Sequence, residues 1–156
     1  MSDLSVIADA SALIALDDIG LLGRLAPLFI ECLIPPAVAQ EIAPTVRRPA
    51  WVTVRSLTGT PDTRVLQAGL GPGETEVLRL ALELGTYTVI VDERAARRLA
   101  VSLGLPLIGT VGLLARAKRQ GIISAVRPNI EALVRSGFYA SSGLIDRVLR
   151  EAGEMS

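Results

Sequence analysis

Four carboxylates in this chain stand where their type and spacing can do chemistry. Asp9 ends the apolar run Ser5-Val6-Ile7-Ala8, and Asp92 ends another, Tyr87-Thr88-Val89-Ile90-Val91. Glu41 lies near the end of a short helical pattern after Pro35-Pro36, and Glu74 opens a long one after Gly71-Pro72-Gly73. Two acids at strand ends and two on helices can converge on one divalent cation. Crowded carboxylates repel, which raises some of their pKa values and favours a cation among them. A site of oxygens alone selects Mg2+ or Mn2+. The chain contains no histidine, so Ser-His-Asp and Cys-His triads and His-ligated zinc are excluded.

Each acid also has a plainer reading. An Asp after a strand often caps the next helix, and Ser11 either caps in the same way or orients Asp9. Glu74 sits in the stripe of Val77, Leu78 and Ala81, where a carboxylate is costly unless paired or metal-bound; it also suits a helix N-terminus. Glu76 points about 200° away from Glu74, toward Arg79, Leu80 and Glu83, a more solvated face. Glu41 keeps company with Val38 and Ile42, or is an exposed helix-end acid.

Several other chemistries are absent. No Gly-x-x-x-x-Gly-Lys-[Ser/Thr] occurs, which removes a P-loop. The glycines at 69–73 follow a helical stretch and include Pro72, unlike a dinucleotide loop. A receiver domain needs paired acids after its first strand, where only Asp9 stands. A haloacid-dehalogenase-type phosphatase needs Asp at position 11, which is Ser.

The elements that must position these acids alternate. Strands are predicted over 5–9, 29–34, 51–57, 87–91 and 105–108. Helical patterns run from Ser11 to Leu28 with a break at Gly20, then over 36–42, 74–84, 93–103, 110–120, 128–135 and 142–152. Residues 44–63 otherwise read as an exposed connection rich in Pro, Thr and Arg. Such alternation implies a parallel, doubly wound α/β sheet. Ligands of such sheets bind beyond the carboxyl ends of the strands, at a switch in strand order, and Asp9 and Asp92 occupy that edge.

The 156 residues, half of them apolar, fit a single domain over 1–156. No run reaches the roughly 18 apolar residues of a membrane span, and Asp3 in place of a basic start argues against a secretory signal. The lone Cys32 cannot make an internal disulfide, so a cytoplasmic protein is expected. Net charge is zero, unlike a general polyanion binder. Residues 1–76 hold 5 basic and 9 acidic groups (−4), and residues 77–156 hold 11 and 7 (+4). Fifteen of the sixteen basic groups are Arg, which suits bidentate contact to phosphate as well as ordinary solvation. Five aromatic residues are too few for base stacking to dominate any nucleic-acid binding.

The stretch from Val6 to Ile14, with Asp9-Ala10-Ser11, resembles the opening of PIN domains, whose first metal acid is followed by x-Ser/Thr. Ile34 to Ile42 resembles the segment that carries their second acid. Gly73 to Ala81, Val89 to Arg97, and Gly109-Thr110-Val111-Gly112-Leu113-Leu114 resemble the DUF3368 branch, related to VapC-type toxins. The resemblance spans nearly the whole chain. It implies a three-layer α/β/α fold with strand order 3-2-1-4-5 and a Mg2+/Mn2+-dependent endoribonuclease acting on RNA. It also implies a homodimer and an antitoxin partner. It makes Asp9, Glu41, Glu74 and Asp92 the metal and catalytic acids. Where many toxins place Asp or Asn two residues past the strand-end acid, this chain has Arg94; Glu93 or Glu76 is then the available substitute ligand. Ser11, Arg94, Arg97 and Arg98 are candidates for substrate phosphate, or the arginines meet an acidic antitoxin segment or solvent. A binding module with a weakened site is the alternative function. The apolar face of Leu144, Ile145, Val148 and Leu149 suggests a subunit interface or packing on the chain's own core.

Overall fold

A strand covered on both faces has no polar side, and the run before Asp9 has none. In the computed structural model, which describes residues 2–155, β1 (Leu4–Ala8) carries Val6, Ile7 and Ala8 with no exposed surface. That is the signature of a central parallel strand. β2 (Phe29–Ile34) pairs on one side, with Ile7 opposite Leu33. The other side holds β4 (Thr88–Ile90), with Ala8 opposite Ile90. β3 (Val52–Val54) and β5 (Leu107–Ile108) are the edges, giving the all-parallel order β3-β2-β1-β4-β5. This is the order that the PIN resemblance implies.

The chain leaves β1 through α1 (Ala10–Asp18) to β2, and leaves β3 to cross to the far side of β1 as β4. The switch in strand order therefore falls between β1 and β4. After β2 comes α2 (Pro36–Ile42), which packs on α4 (Pro72–Leu84); α4 in turn lies against β1 and β4. Pro72 opens α4 and Gly85 ends it at a left-handed φ of +79°, which costs glycine little. Its Val77, Leu78, Leu80 and Ala81 are fully buried. α5 (Arg94–Ser102), α6 (Thr110–Arg119), α7 (Arg127–Arg135) and α8 (Ser142–Glu151) complete the layers.

Several predicted elements shift. The helical pattern from Ser11 breaks at Gly20 as expected, where the chain turns at φ +73°; α1 already stops at Asp18, and residues 22–28 form two short 3-10 turns, the second holding Pro27, instead of resuming the helix. The strand expected over 51–57 shortens to Val52–Val54, because only Val52 is covered and the edge has no further partner. At the end of the connection at 44–63, a one-turn helix, α3 (Thr63–Leu66), starts on the Asp62 cap and runs past it. The strands at 87–91 and 105–108 lose their ends. Cys32 is a core residue, its thiol pushed by burial up to about 12 and so unreactive.

α8 packs on α6 and buries Val148 and Leu149 within the chain's own core, with Leu144 and Ile145 half-covered beside them. Half of this apolar face, Val148 and Leu149, is thus used internally. Among the described residues no helix is long and apolar enough to cross a membrane.

Candidate metal centre

Asp9 follows β1 directly and its backbone N–H donates to Ile90 O of β4 at 3.1 Å. Its side chain caps α1, accepting from Ala10 N at 2.8 Å. Only 5% of Asp9 is exposed. Burial raises its pKa to about 6; the Ala10 bond opposes this, and Glu74, Glu41 and Asp92 add to it in that order. A buried carboxylate with three others near it is held well above the usual carboxylate range, yet stays largely ionised at neutral pH.

The neighbours arrive from two helices and the next loop. Glu41 lies in the last turn of α2 and Glu74 in the first turn of α4. They share with Asp9 and Glu93 one open cleft of about 650 Å3, lined also by Ser11, Ala37, Gln40 and the Gly71-Pro72-Gly73 turn. Burial raises the Glu74 pKa, the charges of Glu93 and Glu41 raise it further, and the Gly71 backbone partly offsets them. Gly73 permits this meeting. A Cβ on Gly73 would collide with Glu41 Oε1 and come within 3.3 Å of Asp9 Oδ1. A side chain at this position would have to push the Glu41 carboxylate aside.

Asp92 stands close enough to bear on Asp9 electrostatically, yet it does not line the cleft. Both of its oxygens are bound at the start of α6. Thr110 N donates to Oδ1 at 2.8 Å and Thr110 Oγ1 to Oδ2 at 2.6 Å. Thr110 is completely buried, and a Cβ on Gly109 would press to 2.9 Å from Asp92 Oδ1. Glu93 reaches the cleft in its place while its Oε2 caps α5 through Ala96 N at 3.0 Å.

Glu76 is elsewhere. Its carboxylate is half-buried, not on a solvated face, because α2 covers it; Oε1 accepts from Ala37 N at 2.9 Å. None of Arg94, Arg97 and Arg98 lines the cleft. Arg94 and Arg98 are exposed on α5, and Arg97 turns inward, donating to Val91 O at 2.8 Å. Gln40, Gly73 and Thr110 were not singled out as site residues from the sequence. Gly73 and Thr110 lay within its quoted motifs, but what each touches is set by residues far along the chain.

The donor set suits a hard cation: carboxylates, a hydroxyl and an amide, with no nitrogen or sulfur ligand. Among the described residues no three acids are grouped tightly enough, as they stand, to share one ion. Glu41 and Glu93 are exposed, so their side chains have the rotamer freedom to close on one.

The family described as DUF3368: PIN domain matches residues 5–154. The chain belongs to that family of PIN domains, which are generally nucleases that use divalent metal ions. No curated protein matches the chain.

Proposed function

We propose that this protein is a Mg2+- or Mn2+-dependent endoribonuclease, the toxin half of a VapC-type toxin–antitoxin pair, acting in the cytoplasm as a homodimer until its antitoxin silences it. The observation that carries the nuclease reading is the convergence of Asp9, Glu41, Glu74 and Glu93 on one cleft at the switch between β1 and β4. Asp9, Glu41 and Glu74 would hold the ion, with Glu93 as a further oxygen donor and Asp92 adding its charge from just outside the cleft. Once bound, such an ion would supply an activated water and offset charge on the phosphate.

The chain's own groups do the rest. Asp9, poised near pH 6, is largely ionised at neutral pH and ready to hold a cation or to accept a proton at its free oxygen. Ser11 and Gln40 offer exposed donors at the cleft mouth for phosphate oxygens or a base edge. The cleft lining carries no basic residue, so the scissile phosphate has no protein cation beside it. Arg94 and Arg98, exposed just beyond Glu93, would hold flanking phosphates. With few aromatic residues, binding through backbone and RNA shape is favoured over stacking.

A panel of single-stranded RNA, structured RNA, single-stranded DNA and a phosphomonoester tests this. Internal cleavage of RNA with Mn2+, stopped by EDTA and absent in Asp9→Asn, is the expected result. Turnover of DNA or of the monoester in preference to RNA would move the protein to another hydrolase class. A second reading, a PIN-like binding module, is favoured by Arg94 at the usual acid position and by the engagement of both Asp92 oxygens. It predicts no cleavage of any substrate in the panel.

A further inference from the structure

We propose that Glu76 is a positioning residue: its carboxylate holds the first turn of α2 against α4 and thereby sets where Glu41 stands over Asp9. The proposal rests on the reading of the acid cleft as a cation site.

α2 has seven residues and begins at Pro36 with Pro35 as its cap. A helix this short is marginal on its own. Pro35 offers no side-chain acceptor and Pro36 has no N–H, so Ala37 N is the first donor that needs a partner. Glu76 Oε1 supplies it from 39 residues away. The same carboxylate lies at the positive end of the α2 dipole. At the other end of α2, Glu41 rests over Gly73 at the start of α4. The short helix thus meets α4 at both ends but is hydrogen-bonded to it only at Ala37, among the described residues, and Ala37 and Glu41 are about one helical turn apart. Releasing that bond lets the other end move. Glu76 does not line the cleft, so it acts through α2, not on a substrate.

Two variants and two measurements test the role. Glu76→Ala removes the acceptor; Glu76→Gln keeps an acceptor oxygen without the charge. In the metal-free protein, Glu76→Ala should speed amide exchange across residues 37–41 about fivefold, as loss of a cap does. It should also weaken Mn2+ binding, read by calorimetry, by about tenfold. Glu76→Gln should restore both close to wild type. Exchange unchanged in Glu76→Ala, or Mn2+ affinity unchanged while exchange rises, would overturn the role, as would failure of Glu76→Gln to rescue. A wild type that binds no Mn2+ would overturn the cation reading and this role with it. Unchanged exchange beside normal Mn2+ binding in wild type would overturn the role of Glu76 alone.

Discussion

Asp9 bears the largest electrostatic burden of any single residue in the cleft. Its carboxyl is raised from 3.8 to about 6, first by burial. Ionising it inside the fold therefore costs about 3 kcal/mol relative to the unfolded chain, comparable to removing one buried leucine-sized side chain from water. The folded state binds the proton more tightly, so this cost appears as pH rises from about 3.8 to about 6. Metal-free protein is expected to be about 1 kcal/mol less stable at pH 7 than at pH 5, measured by denaturant unfolding in EDTA. Asp9→Asn should flatten that dependence and remain folded. A wild type whose stability does not change between those pH values would show that Asp9 is not held as described. Gly73 works by having no side chain. Gly73→Ala improves helix propensity yet drives a methyl into Glu41 Oε1. It should fold and lose about tenfold in Mn2+ affinity; unchanged affinity would mean that Glu41 is free to move aside.

At the scale of elements, carboxylates tie one segment to the next. α4 carries three of them: Glu74 faces the cleft, Glu76 holds α2, and Glu83 accepts from Thr58 N and Gly59 N in the connection after β3. Asp92 ties the end of β4 to the start of α6 through Thr110. Thr110→Val removes the hydroxyl bond to a carboxylate and should cost about 2 kcal/mol in unfolding stability, whereas Thr110→Ser should retain most of it. Equal stability of the valine variant would deny the clamp. These ties explain what was legible in the sequence. The ends of β1 and β4 and the inward stripe of Glu74 are local patterns, visible within a dozen residues. The Thr110 bond spans 18 residues and the Glu76 bond 39. A helical wheel separates the faces of α4, but it cannot show that α2 lies over the one that looked solvated. The same limit shortened β3: alternation over 51–57 gave the pattern, while its length was set by a neighbour on one side only.

At the scale of the whole molecule, two groups of carboxylates do different work. The carboxyl edge of the sheet gathers acids. The segment after α8 is fastened by Glu154, which accepts from Val126 N at 2.7 Å, Arg127 N at 2.9 Å and Lys118 Nζ at 2.9 Å. Burial acts to raise its pKa, but those three donors outweigh burial and hold it down at about 2. A depressed carboxyl contributes stability above its ordinary value of 4.5 that is lost as pH falls toward 2. Acid unfolding followed by circular dichroism should therefore be shallower over that window in Glu154→Gln than in wild type; superimposable curves would contradict the fastening. The strand order followed from the family resemblance, whereas alternation alone gave only a parallel sheet. The measurement that bears most directly on the central claim is Mn2+ calorimetry on wild type and Asp9→Asn. It requires no knowledge of the RNA target. Binding by the wild type that is lost in a folded Asp9→Asn is the predicted result. No binding by the wild type at millimolar Mn2+, or equal binding by both proteins, would contradict a cation site built on Asp9.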